Sequence, residues 1–108
     1  IKIPPHVTKL DKRALSCSSI SKIEFSEDSE LRFIGKKAFY GTHIKELYIP
    51  SKVEELEDGW CEDSKDLVDI SISPENKHFK LINDNKLLLY KSDLSQDKYD
   101  KLINFCFT

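Results

Sequence analysis

The sequence predicts a β-rich solenoid: short parallel strands stacked in coils as an α/β-type superhelix, with a β-hairpin towards the C-terminus. Three observations lead there. Apolar residues recur in one fixed order with a period in the twenties. Inside each recurrence a short stretch alternates apolar and polar residues, as a half-buried strand does. Between those stretches no long helical periodicity appears.

The recurrence is visible when the chain is laid against itself. "IKIPPHVTKLDKRAL" (Ile1 to Leu15) matches "LYIPSKVEELEDGWC" (Leu47 to Cys61). Ile3 is followed by Pro4, Val7, Leu10 and Ala14, and Ile49 by Pro50, Val53, Leu56 and Trp60, at steps of +1, +4, +7 and +11 in both. "EFSEDSELRFIGKKAF" (Glu24 to Phe39) fits the same template with two extra residues, its anchor Phe25 leading to Ile34, Ala38 and Phe39. Each unit closes alike: Leu15 leads to Ile20, Ile23 and Phe25; Phe39 to Ile44, Leu47 and Ile49; Cys61 to Leu67, Ile70 and Ile72. The anchors Ile3, Phe25, Ile49 and Ile72 lie 22, 24 and 23 residues apart. That period, with an L-x-x-L-x-L-like core, is the signature of a leucine-rich repeat solenoid. The predicted units run over about 1–19, 20–43, 44–66 and 67–73, in one domain spanning 1–108.

Each element then has a reason. In "KELYI" (Lys45 to Ile49), Leu47 and Ile49 point one way and Glu46 and Tyr48 the other. One such strand cannot bury its apolar face alone, so stacked units make a continuous core. Pro4 and Pro50 follow their strands, where the ladder needs no N–H. Val53, Leu56, Ala38 and Phe39, with their equivalents, fill the rest of the coil. Gly35 is expected to let the backbone bend tightly between them. The glycine before two lysines also raises a phosphate loop, but that motif needs G-x-x-x-x-G-K-[ST] opening a long helix. Here one glycine precedes the lysines and no Ser or Thr follows them.

After Ile72 the pattern changes. "HFKLINDNKLLLYKSD" predicts a β-hairpin over 78–91, turning at Asn83 to Asn85, where Asn and Asp tolerate left-handed backbone. It is placed to cap the exposed core of the last coil. "SDLSQDKYDKL" reads as a polar connection with room for one helical turn, and "LINFCF" as a terminal strand over 102–107.

Composition excludes several functions. With 39% hydrophobic and 33% charged residues the chain is neither disordered nor membrane-embedded. Its 17 basic and 19 acidic residues are interspersed, net −2, with no basic run for nucleic acid. No apolar run reaches the roughly 18 residues of a membrane span. The lack of any methionine, at position 1 included, predicts a fragment or processed piece of a longer chain. Cys17, Cys61 and Cys106 are odd in number and widely spaced, which reads as buried small hydrophobes; one disulfide plus a free thiol is the alternative.

Little points to catalysis. His6, His43 and His78 fall in different parts of different units, with no C-x-x-C or H-x-x-x-H spacing for a metal. They read as exposed loop residues. "SCSS" (Ser16 to Ser19) has a thiol among hydroxyls but no histidine placed beside it. "SEDSE" (Ser26 to Glu30) lacks the turn glycine of a calcium loop and falls on the two-residue insertion, so it reads as a solvated loop. "EELEDGWCEDSKD" (Glu54 to Asp66) holds Leu56, Trp60 and Cys61 at repeat positions, so its charges read as a solvated convex face. No catalytic residue, cofactor or metal is expected.

Register points instead to a surface. Solenoids bind partners along exposed strand faces. Lys2, Glu24, Tyr48 and Ser71 hold equivalent positions and are expected to form one ladder, with Lys22, Glu46 and Asp69 forming the next. Tyr48, rigid and amphipathic, is the expected anchor, and Glu46 with Asp69 would meet a basic patch. The plain alternative is an ordinary exposed sheet face, with Lys2 and Glu24 as a cross-strand pair.

"IGKKAFYGTHIKELYIPSKVEELEDGWC" and "LVDISISPENKHFKLINDNKLLLYKSD" resemble the BspA-type, or Treponema pallidum-type, leucine-rich repeats. The shared sentence is I-G-x-x-A-F, then L-x-x-I-x-I-P, then V-x-x-I, and the resemblance covers roughly residues 1–92. "GWC" with "SPENKHF" downstream is similar to versions in protozoan parasites. The chain departs where Thr42 stands in place of a cysteine often found three residues after A-F, and where Trp60 and Cys61 replace the Ala38–Phe39 pair. The resemblance implies a non-enzymatic protein-binding or adhesion module of a cell-surface or secreted protein, with a protein ligand such as a host or extracellular-matrix protein. It brings no catalytic residues. The structural alternative is a spacer that carries other domains and self-associates through its coil ends.

Overall fold

Stacking is set by where each unit places its two short strands. The structure is a computed structural model that describes residues 1–16, 19–82 and 87–103. Each of the first three units contributes one strand to each of two rows, and the fourth contributes to the first row alone. The first row holds β1 (Lys2–Ile3), β3 (Glu24–Phe25), β5 (Glu46–Ile49) and β7 (Asp69–Ile72); the second holds β2 (Lys9–Leu10), β4 (Phe33–Ile34) and β6 (Glu55–Leu56). Pairing within the rows is parallel. Ile3 pairs with Phe25, Ile49 with Ile72, and Leu10 with Ile34 and then Leu56. These are the equivalences the period predicts. Among the described residues there is no helix.

The first row is interrupted. β1 pairs with β3 and β5 with β7, but β3 and β5 form no ladder. The turn that ends β3, with Ser29 N–H donating to Ser26 O at 3.0 Å, recurs after β1, β5 and β7, and the two-residue insertion follows it. The same insertion carries Leu31, fully buried at the position of Val7 and Val53, which the sequence alignment passes over.

The core is one cluster of rungs. Ile23, Leu47 and Ile70 are buried in the first row, and Leu10 and Ile34 in the second. Ala38, Phe39, Trp60 and Cys61 fill the space between, Trp60 meeting Phe39 edge-on at 6.4 Å and 76°. In the first unit Ala14 is exposed and Leu15 half-buried. A hydroxyl ladder threads the same region: Ser64 Oγ and Thr42 Oγ1 both donate to Phe39 O, at 2.7 and 3.1 Å.

Two expectations are corrected. The tight bend is made by Arg13, Lys37 and Gly59, equivalent residues with φ of 59°, 57° and 67°, while Gly35 has another task. A Cβ on Gly35 would stand 2.7 Å from Leu10 O and 2.9 Å from Lys12 N, so its lack of a side chain lets adjacent units touch through their backbones. Cys61 is disulfide-bonded, with its partner outside the described residues, so the reading of three buried free thiols fails. An odd count conceals a single bridge as readily as none.

Beyond β7 the chain leaves the stack. β8 (Phe79–Ile82) pairs antiparallel with β9 (Leu87–Tyr90), which pairs antiparallel with β10 (Lys101–Ile103). The turn predicted at Asn83 to Asn85 and the residues 104–107 of the predicted terminal strand lie outside the described residues. The connection before β10 is a turn, with Gln96 N–H donating to Asp93 O at 3.1 Å, and has no helical segment.

Candidate functional site

The alternation that buries Leu47, Ile49 and Ile70 turns their neighbours outward. Glu46 stands beside Asp69 and Tyr48 beside Ser71, in register across β5 and β7, and all four are exposed. Tyr48 is 45% exposed although its strand is one of the longest in the fold. Among the described residues neither Glu46 nor Asp69 has a cation within ion-pair distance, so two adjacent carboxylates meet the solvent uncompensated.

The other half of the expected surface is separate. Lys2 pairs with Glu24 across β1 and β3, and Lys22 reaches Glu24 at 3.1 Å. The Lys22 ammonium, by hydrogen bond and by charge, holds the Glu24 carboxyl below its ordinary range. Because β3 and β5 are unpaired, the structure brings together Lys2, Lys22 and Glu24 in one patch and Glu46, Tyr48, Asp69 and Ser71 in another, instead of two unbroken ladders. In the first patch Lys22 and Glu24 form an ion pair; in the second neither carboxylate has a cationic partner among the described residues.

The histidines behave differently from one another. His43 is exposed but bonded, its Nδ1 lying 3.0 Å from Asp66 Oδ2 on the adjacent unit. His6 is exposed and His78 half-buried. Among the described residues no three His, Cys, Asp or Glu side chains are grouped to hold a metal. No helix among them is long and apolar enough to cross a membrane.

Sequence reasoning missed the polar residue that turns the chain away from the stack. Asn76 is buried at the position that Val7 and Val53 hold in other units. Its Nδ2 donates to Pro50 O at 2.9 Å and Val53 O at 3.0 Å, and its Oδ1 accepts from the N–H groups of His78 and Phe79. Every hydrogen-bonding site used is one that a valine there would leave unmet. The signal was available in the +4 step from Ile72, which lands on Asn76 instead of an apolar residue.

A family model of the BspA type leucine-rich repeat region matches residues 1–85, in six copies. No curated protein and no solved structure gives a match.

Proposed function

Because the chain belongs to the BspA-type leucine-rich repeat family, we propose that it is a non-enzymatic protein-binding or adhesion module, engaging a protein ligand through the exposed strand face at β5 and β7. Repeats of this family are often used in protein interaction, are generally non-enzymatic, and typically occur in surface or secreted proteins. In this reading the units of 1–73 wind as one short solenoid, and the β8–β9 segment is a hairpin that caps its last coil.

One observation carries the choice of face. On β5 and β7 a half-exposed tyrosine sits in register beside two carboxylates with no counter-ion. Tyrosine is a rigid amphipathic anchor of the kind that dominates binding energy, and unpaired acids steer a basic partner. Tyr48 is the anchor, Glu46 and Asp69 the steering pair, and Ser71 a hydrogen-bonding neighbour. Lys2, Lys22 and Glu24 extend the face towards the first unit. The ligand is a host or extracellular-matrix protein with a basic surface.

The disulfide at Cys61 supports a surface or secreted setting, since such bonds persist in oxidising compartments. The test is a paired pull-down from cell-surface and matrix extracts, using the chain and a folded Tyr48→Ser, Glu46→Lys, Asp69→Lys variant. A protein retained by the first and lost from the second is the expected result. Equal retention would remove this face from the proposal.

A further inference from the structure

The two rows are unequal in length. The first runs to β7, whereas the second ends at β6, because Asn76 sends the chain into β8 before a further strand can form. Among the described residues the second row is one strand short of the first.

The existing strands show what the missing one would need. Thr8 O accepts from the N–H of Arg32 at 2.9 Å, and Leu10 O from Gly35 at 2.8 Å. One unit on, Arg32 O accepts from Glu54 at 2.8 Å and Ile34 O from Glu57 at 3.0 Å. The next acceptors in this series are Glu54 O and Leu56 O, and no described donor reaches either. Beside that edge lies a groove of about 730 Å³. β6 forms one wall, and Tyr90 and Leu102 stand on the other, Leu102 being 64% exposed. Trp60 also lines the groove; it is only 2% exposed, and its indole N–H is buried without an acceptor.

Charge completes the specification. Glu54, Glu55, Glu57 and Asp58 all line the groove, with Lys101 facing them. None of the four carboxylates is in an ion pair among the described residues. We propose that this slot binds an extended lysine- or arginine-bearing peptide segment, added as a parallel strand to β6. Its N–H groups meet Glu54 O and Leu56 O, and its cations face the carboxylates. A second copy of the chain does not fit in the same register. As its β2 entered the slot, its β1 would need the place that β7 already holds.

Trp60 is the single tryptophan, so its fluorescence reports on the groove. The chain is titrated with a short peptide alternating lysine and valine, with a glutamate–valine peptide, and with a lysine peptide interrupted by proline, which keeps charge but loses N–H donors. The lysine–valine peptide should shift the emission saturably and bind more weakly as salt rises, and the other two should not. Glu55→Lys should weaken binding roughly fivefold, and His6→Gln, at an exposed residue away from the groove, should leave it unchanged. Equal binding of the proline-interrupted peptide would reduce the effect to charge attraction and overturn strand addition. Emission that changes with chain concentration alone, alongside dimers in sedimentation, would place a second copy there and overturn the proposal too.

Discussion

Asn76 shows how one side chain ends a repeat. It stands where an apolar residue continues the stack, and it satisfies two carbonyls of the preceding unit together with two N–H groups of the departing chain. Asn76→Ala should destabilise by about 2–4 kcal/mol, because the buried partners lose their bonds. Asn76→Asp should fail similarly, since it accepts but cannot donate to Pro50 O and Val53 O. Thermal melts of both check this; an intact Asp variant would refute the donor role. Gly35 and Lys37 form a second pair of cases. Gly35→Ala should cost about 1–3 kcal/mol, because the added methyl meets backbone and not a flexible side chain. Lys37→Gly should cost nothing measurable, as relief at φ 57° offsets the gain in unfolded-state freedom. Denaturant titration should rank the two in that order. The sequence marks Gly35 as special but not why: its role lies in an approach between units, which spacing along one chain does not encode.

At the scale of elements, the period located the strands of the first row, where alternation and apolar steps agree, but the two-residue strands of the second row, at Leu10, Ile34 and Leu56, read only as apolar filling of the coil. What spacing could not supply was the break between β3 and β5 and the bridge at Cys61. Reductant should lower the melting temperature of the chain, with a loss of about 2–4 kcal/mol, and leave a Cys61→Ser variant unmoved. A reductant effect surviving in the variant would contradict the assignment. The connection from β9 to β10 carries its own tie: Ser92 donates from its backbone N–H, at 3.0 Å, and from its hydroxyl to Asp100. Those bonds hold the Asp100 carboxyl below its ordinary range, led by the Ser92 hydroxyl, and Ser95 does the same for Asp93. The folded value is the depressed one, so the tie is fully present above the ordinary carboxylate range. It is lost as pH falls through the depressed value. An NMR titration should find the Asp100 midpoint below that of an unfolded peptide, and Ser92→Ala should raise it.

Over the whole molecule, two surfaces result from one geometry. Stacking sets outward residues side by side, giving the Glu46, Tyr48, Asp69 and Ser71 face, and its termination leaves the groove beside β6. The face was legible because register alone places those residues together. Its division into two patches was not, since that rests on hydrogen bonds between β3 and β5 that the repeat pattern promises and the fold omits. The groove was hidden for a similar reason: an absent strand leaves no pattern to read. The measurement that tests the central claim most directly is photo-crosslinking, with a benzophenone side chain placed at Tyr48 in one preparation and at Lys36, on the turn after β4, in another. After illumination on intact cells or matrix, a discrete protein adduct from position 48 and none from position 36 is the predicted result. The same adducts from both positions, or none from position 48, would contradict binding through the strand face.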